Sequence, residues 1–463
     1  MKILGIETSC DETAASLLEI SSSKSQISGK FQVPSIRPED LAELGRGGFR
    51  SRDLKFQILS NVVLSQIEIH KKYGGIVPEV AARQHVQAII PVIEEALDKN
   101  CDTRPVPSKA EGYAIHDLSR PFGHELSGRG PKAEWTKPRD TQPDLIAVTI
   151  GPGLITSLQV GVQTAKTLAY VWNVPLIGIN HLEAHLWSFL LNSELGIKPA
   201  KGGSLPDGGH GAYGGNKELG FPAIGLIISG GHTEMVLVKG IDKYQLIGRT
   251  RDDAVGEAFD KVAKLLNLGY PGGPIISHYA KEGDPTKIDF PRPMIESDDY
   301  DFSFSGIKTA VKYYLKDLVP TGQLSQALIK DICAGFQQAV IEVLTYKVIK
   351  AAQQFKAKSI ILGGGVSAND ALIKELGIRN PSLLLRTSKE LGIDFYYPDK
   401  EYTGDNAAMV ALAGFFHLPT LKLPPPPFCF AQWLWRTGRQ TGQKEASSDN
   451  WRRLAAEPNL KII

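Results

Sequence analysis

The chain is poor in cysteine: its 463 residues carry four, Cys10, Cys101, Cys333 and Cys429. They stand far apart with no C-x-x-C pair, which argues against a zinc ribbon and gives no basis for a disulfide scaffold. A reducing compartment fits that usage. An excess of one charge is also lacking. The net charge is +2, so any nucleic acid must be met by a local basic patch rather than a global field. The first residues run straight into an apolar strand, Lys2-Ile3-Leu4-Gly5-Ile6, with no signal peptide, Arg-rich presequence or membrane span. A cytoplasmic location and no membrane partner are therefore expected. G-x-x-x-x-G-K-[ST] does not occur, so the chain has no phosphate loop of that kind. What remains, 42% hydrophobic and 22% charged, is the composition of a globular protein long enough for two or three domains.

Two histidines organise what is there. In Gly178-Ile179-Asn180-His181-Leu182-Glu183-Ala184-His185 they stand four residues apart at the end of an apolar run. On a helix, positions i and i+4 share a face, so both rings can meet one ion. Neutral imidazole is a common ligand for zinc, iron, copper and nickel. Two histidines rarely complete a site, so a further ligand is needed from elsewhere in the chain. A histidine pair on a helix flank with no ion is the alternative at this point. The metalloprotease signature H-E-x-x-H places its general base directly after the first histidine. Glu183 instead follows at two residues, about 200° round a helix, and points away from the ion. Peptidase chemistry is disfavoured on that geometry.

From the start, residues 2 to 20 read as a strand, a polar turn (Glu7-Thr8-Ser9-Cys10-Asp11-Glu12-Thr13) and a second strand. The turn can grip phosphate or Mg²⁺, or simply close a hairpin. Residues 21–54 break the pattern with a Gly/Arg-rich loop in which Arg46, Arg50 and Arg52 either touch a phosphate backbone or are merely solvated. A strand at Phe56–Ser65 and an amphipathic helix at Glu79–Leu97 follow. Residues 98–143 form a second long polar insert. Asp144–Ile150, Gly151-Pro152-Gly153 and Leu154–Trp172 make a strand–turn–helix unit, whose turn either presents amides to an anion or only packs.

A third irregular insert, 192–220, separates a second α/β half. This half opens with a strand, Ser229-Gly230-Gly231-His232-Thr233, and another strand, repeating the plan of residues 2 to 20. Two such turns facing one another can hold one nucleotide. A helix is expected from Asp252, with Asp253, Glu257 and Asp260 on one face and in need of a cation, ribose hydroxyls or solvent. Ile332–Lys350 reads as an amphipathic helix. The strand Ser359–Leu362 runs into Gly363-Gly364-Gly365, where a flat ring can lie on bare backbone near Asn369. Asp405 precedes an apolar helix, either as its N-cap or as a ligand. Residues 417–463, with four consecutive prolines and a basic end, read as a peripheral tail.

Ten blocks together resemble one family in order: Met1–Thr13, Tyr73–His85, Gly151–Leu154, His181–His185, Ser229–Glu234, Glu257–Leu266, Tyr270–Pro274, Asp301–Lys308, Gly363–Asn369 and Thr403–Ala407. They are similar to the TsaD family of tRNA adenosine threonylcarbamoyltransferases, once mislabelled sialoglycoprotein endopeptidases. The resemblance implies an α/β, actin/Hsp70-like (ASKHA) fold, with two RNase H-like lobes around a central nucleotide cleft. The lobes would be 1–191 and 221–416, the latter ending in a helix that returns toward the first lobe. It implies one divalent metal, Fe²⁺ with Zn²⁺ possible on the donor set, held by His181, His185 and Asp405. It places Ile227, Ile228, Ser229, Gly230, Gly231, Asp260, Gly273 and Asn369 on the substrate side. The implied reaction moves a threonylcarbamoyl group from threonylcarbamoyl-AMP to N6 of adenosine 37, in tRNAs reading codons that begin with A. Asp11 and Glu12 are the candidates for the base that accepts the amine proton. The implied partners are the tRNA anticodon loop, a TsaB-like paralogue and a TsaE-like P-loop ATPase. The three inserts and the tail have no counterpart in the family pattern. An actin-fold sugar or acetate kinase and a non-catalytic assembly paralogue are the competing readings; neither calls for a metal site of two histidines and an aspartate.

Overall fold

The computed structural model describes residues 1–22, 54–98, 142–192, 219–318, 324–377, 392–418 and 454–462. Arg46, Arg50, Arg52, Cys101, Cys429 and most of the three inserts lie outside the described residues. In the first half, β1 (Lys2–Glu7), β2 (Glu12–Ser22) and β3 (Leu54–Ser65) form an antiparallel meander. Three helices interrupt the strands here: α1 (Ile67–Lys71) and α2 (Pro78–Leu97) follow β3, and α3 (Ile155–Trp172) follows β4 (Leu145–Gly151). β4 and β5 (Leu176–Asn180) add in parallel beside β1, for the order β3-β2-β1-β4-β5. The short α4 (His181–Trp187) leaves β5 directly.

The second sheet repeats this plan strand for strand. β6 (Ala223–Ile228), β7 (Thr233–Gly240) and β8 (Lys243–Arg249) form the meander. Then come α5 (Val255–Leu265), α6 (Gly272–Ala280), α7 (Ser305–Leu318) and α8 (Gln326–Gln354). β9 (Ser359–Gly363) and β10 (Asp394–Tyr396) lie parallel beside β6, with α9 (Asp370–Gly377) between them in sequence. The order β10-β9-β6-β7-β8 mirrors the first sheet. The inner strands β1, β4, β6 and β9 are buried almost throughout and read as near-continuous apolar runs, as sheets covered on both faces require.

Two expectations are corrected. The helix expected at Ile332–Lys350 spans Gln326–Gln354 and is buried round most of its circumference rather than amphipathic, because α6, α7 and α9 enclose it against the second sheet. Among the described residues it is the one helix long and apolar enough to cross a membrane, and it is buried inside the fold. The helix expected from Asp252 begins at Val255. Asp252 is drawn off to cap α7, accepting from the backbone N–H of Phe304 at 2.8 Å and of Ser305 at 3.1 Å.

The last helix, α10 (Ala407–Phe416), leaves the second half and packs on β1 and β2. All ten of its residues are buried, which its uniformly apolar sequence dictates. Its first turn comes so close that a Cβ on Gly5 would sit 2.1 Å from the Ala407 carbonyl oxygen and 2.9 Å from the Ala411 nitrogen. Residues 454–462, within the expected peripheral tail, lie against the ends of β4 and β5. The Glu457 N–H donates to the Ile150 carbonyl at 2.6 Å, the Gly153 N–H donates to the Pro458 carbonyl at 3.1 Å, and Ile462 is buried.

Gly5→Ala sets a methyl against helix backbone that cannot swing aside. It is expected to destabilise the protein by about 1–3 kcal/mol, read as a lower urea midpoint at unchanged slope.

Candidate metal centre

Asn180 ends β5 and caps α4: its side-chain oxygen accepts from the N–H groups of Leu182 at 2.9 Å and Glu183 at 3.3 Å. The helix therefore starts at the strand end, and His181 and His185 fall on one face with ring centroids 4.5 Å apart. The other ambiguous cap resolves the opposite way. Asn406, not Asp405, caps α10, accepting from the Met409 N–H at 3.0 Å. Asp405 is thereby free. Its Oδ1 lies 2.9 Å from His185 Nε2 and 3.5 Å from His181 Nε2.

A second acid completes the arrangement. Glu7, fully buried at the end of β1, has its Oε2 3.1 Å from His181 Nδ1. The Thr149 hydroxyl donates to the same oxygen at 2.6 Å, and the Ser9 N–H donates to Oε1 at 2.5 Å. A carboxylate accepts only, so His181 Nδ1 carries a proton toward Glu7, and Nε2, turned toward Asp405, is the nitrogen that must give up its proton to an ion. This is the carboxylate–histidine pairing that orients metal ligands.

The residues fit a divalent ion. One donor atom from each of His181, His185 and Asp405 lies within 4.8 Å of the others. Metal–nitrogen bonds of about 2 Å place neighbouring donors roughly 3–3.5 Å apart in a tetrahedral set, the spacing seen at Asp405. Two imidazoles and one carboxylate leave positions open for substrate or water.

The charges follow from this packing. Burial opposes the His181 imidazolium, but Asp405 and Glu7 hold its pKa up at about 9. Burial and the charge of His181 push His185 down. Burial would raise Asp405, yet the two histidines hold it well below the ordinary carboxylate range. The same corner reaches the second sheet. Burial, then His181 and His185, lower His232 to about 4, so the Ser229–Thr233 turn lies within their field.

Comparison with known proteins decides the family. The profile described as TsaD: tRNA N6-adenosine threonylcarbamoyltransferase matches residues 57–104, 137–213 and 209–412. The chain is 38% identical over 414 residues to the tRNA N6-adenosine threonylcarbamoyltransferase of Clostridioides difficile (strain 630), covering 89% of this chain and 92% of that protein. It is 37% identical over 414 residues to that of Anaeromyxobacter dehalogenans (strain 2CP-C), with 89% and 93% covered. It is also 37% identical over 417 residues to that of Clostridium perfringens (strain SM101 / Type A), with 90% and 92% covered. The chain belongs to the TsaD family. Its paired sheets of matching order are the two-lobed α/β architecture of the actin/Hsp70-like class.

The other expected site residues are spread over both halves of the fold. Asp11 lies in the turn after β1 and Glu12 opens β2; His85 holds this segment through the Cys10 carbonyl at 3.0 Å and the Thr13 hydroxyl at 2.8 Å. Burial and Asp11 raise Glu12 well above its ordinary value. Burial likewise raises Asp260, to about 6, with Asp11 adding to the shift although the Gly272 N–H donates to its Oδ1 at 2.6 Å. The first turn and Asp260 therefore feel each other from opposite lobes. Gly230, Gly231 and Gly273 have open space where a Cβ would stand. The side chains of Ile227 and Ile228 are core, and both residues pair in the sheet ladder. Asn369 is fully engaged. Its amide donates to Ser277 Oγ at 3.1 Å and Gln337 Oε1 at 3.0 Å, and its oxygen accepts from Ala371 and Leu372; a ligand bonding to it must displace a partner. Asp253 and Glu257 are matched by Lys261, and Asp253 also by Lys308, so they need no ribose or cation.

Sequence reasoning missed Glu7, His85 and His232. A carboxylate ending an otherwise apolar strand was the available signal for Glu7.

The folded pKa of His181 lies above its ordinary 6.5. Its charge stabilises the metal-free fold below about 6.5, and that contribution fades as pH rises to about 9. An ion competes with the same proton, so metal affinity strengthens across this window. Calorimetric Zn²⁺ titration of the metal-free protein at neutral pH, in buffers of differing ionisation enthalpy, is expected to show about one proton released per ion. Heats independent of buffer would contradict this.

Proposed function

We propose that this chain transfers the threonylcarbamoyl group of threonylcarbamoyl-AMP to N6 of adenosine 37 in tRNAs reading codons that begin with A, releasing AMP. Family membership supports the activity. The observation that carries the chemistry is the convergence of His181, His185 and Asp405 beside the Ser229-Gly230-Gly231 turn. An actin-fold kinase has no use for that cluster.

In this reading a nitrogen–carbon bond forms at the carbamoyl carbon, the carbon–oxygen bond of the mixed anhydride breaks, and AMP leaves. A divalent ion on His181, His185 and Asp405, Fe²⁺ or else Zn²⁺, would supply positive charge for the donor's phosphate or carbonyl oxygen. The N–H groups of Gly230 and Gly231 add hydrogen-bond donors where backbone approach is unobstructed. Asp260, with its pKa near 6, is mostly ionised at neutral pH and accepts from ribose hydroxyls. Gly273 and Asn369 line the nucleoside side.

The exocyclic amine is a poor nucleophile, so positioning matters and a base must take its proton. In this reading Asp11 or Glu12 takes that role. Burial and Asp11 raise the proton affinity of Glu12, the property a general base uses. The acceptor base is reached in an unpaired anticodon loop. We assign the lobes to 1–191 and 221–416, the partners to a TsaB-like paralogue and a TsaE-like ATPase, and the location to the cytoplasm.

The test supplies threonylcarbamoyl-AMP and unmodified tRNA to wild type and His181→Ala, with those partners present. Wild type is expected to form the modified adenosine and His181→Ala to lose more than about 100-fold. No modified adenosine from wild type under any combination of partners refutes the transferase reading.

A further inference from the structure

Glu183 stands between the two histidine ligands but takes no part in the site described so far. It is buried, and its carboxylate turns away from the metal corner. The Tyr244 hydroxyl donates to its Oε1 at 2.6 Å, and His417 Nε2 lies 2.8 Å from its Oε2. The Tyr244 oxygen accepts in turn from Trp187 Nε1, on the same helix, at 2.8 Å. His417 Nδ1 lies 3.5 Å from Asp242 Oδ1. Burial opposes charge on His417, but Glu183 and Asp242 hold its pKa above the ordinary value.

These partners come from separate parts of the fold. Tyr244 is on β8, the edge strand of the second sheet. His417 is the residue at which α10 ends, and α10 begins one residue after the cap that follows Asp405. One carboxylate on the helix of the histidines is therefore held both by the second sheet and by the far end of the helix behind the third ligand. Glu183, Asp242 and His417 also group as closely as a metal set. Both Glu183 oxygens are already committed to protein donors, which makes the group a hydrogen-bonded lock rather than a second ion site.

We infer that Glu183 is a positioning residue: bonded to Tyr244 and His417, it fixes the rotation of α4 and the seating of α10, and so sets the separation between the His181–His185 pair and Asp405. A helix of seven residues does not hold its own orientation. Contacts outside it must, and a buried carboxylate with two short hydrogen bonds resists rotation because leaving either oxygen unpaired is costly. The inference rests on the metal-ligand reading of His181, His185 and Asp405.

The probe is Co²⁺, whose visible absorption reports ligand geometry. Tyr244→Phe removes the grip of the second sheet, His417→Gln that of α10, and Glu183→Gln weakens both; none alters a ligand. Each of the first two is expected to weaken Co²⁺ binding about 10-fold and Glu183→Gln up to about 100-fold, with altered visible bands. A merely structural role would lower the melting temperature of the metal-free protein and leave Co²⁺ affinity and spectrum at wild-type values. That result across the three variants overturns the inference. A wild type that takes up no Co²⁺ overturns it together with the ligand reading. Should Glu183→Gln fail to fold, Tyr244→Phe decides alone, since it deletes a single oxygen and keeps the ring.

Discussion

The structure depends on one buried set of charges: Glu7, His181, Asp405 and His185, joined through contacts of 3.1, 3.5 and 2.9 Å. Two carboxylates and two imidazoles removed from water must satisfy one another or bind an ion. Glu7 answers the inner side of His181, and Asp405 answers the outer side of both rings. Removing one member costs its buried neighbour a charged partner, so the set is coupled.

That constraint explains why distant segments meet. Glu7 ends β1, His181 follows the end of β5, and Asp405 precedes the helix laid across β1. All three stand at the carboxyl ends of strands or the start of a helix packed on them, where open α/β sheets form their sites. Glycine permits the approach on both sides. Gly5 admits the backbone of α10, and Gly363 at the end of β9 admits α4, where a Cβ would lie 2.5 Å from the His185 carbonyl oxygen. The second sheet thus buttresses the ligand helix, while its own turn at Ser229–Thr233 faces the same corner. The duplicated sheet plan gives each half one polar turn after its first strand.

Much of this was legible in the sequence, and the exceptions have physical causes. The four-residue spacing of His181 and His185 and the apolar strands were readable because both are local. The offset of Glu183 was enough to turn it from the ion, and its carboxylate does point elsewhere. Asp405 was ambiguous in isolation, since Asp and Asn both cap helices; only the hydrogen bond from Met409 shows that Asn406 does so. Family resemblance, not spacing, identified Asp405 as a ligand. Glu7 offered only a carboxylate at the end of an apolar strand, and His232 no signal at all, because their partners lie in other elements. Asp252 was read into a helix it does not join, because its N–H partners come from residues 304 and 305. The amphipathic reading of Ile332–Lys350 failed because helices cover its outer face too.

The most direct measurement is X-ray absorption at the metal edge of the Fe²⁺- or Zn²⁺-loaded protein, compared with His185→Ala and Asp405→Asn. Two imidazoles and at least one oxygen donor are expected in wild type, with one imidazole lost in His185→Ala and the oxygen shell altered in Asp405→Asn. A wild-type spectrum without imidazole scattering, or spectra identical in all three proteins, would contradict a centre built on His181, His185 and Asp405.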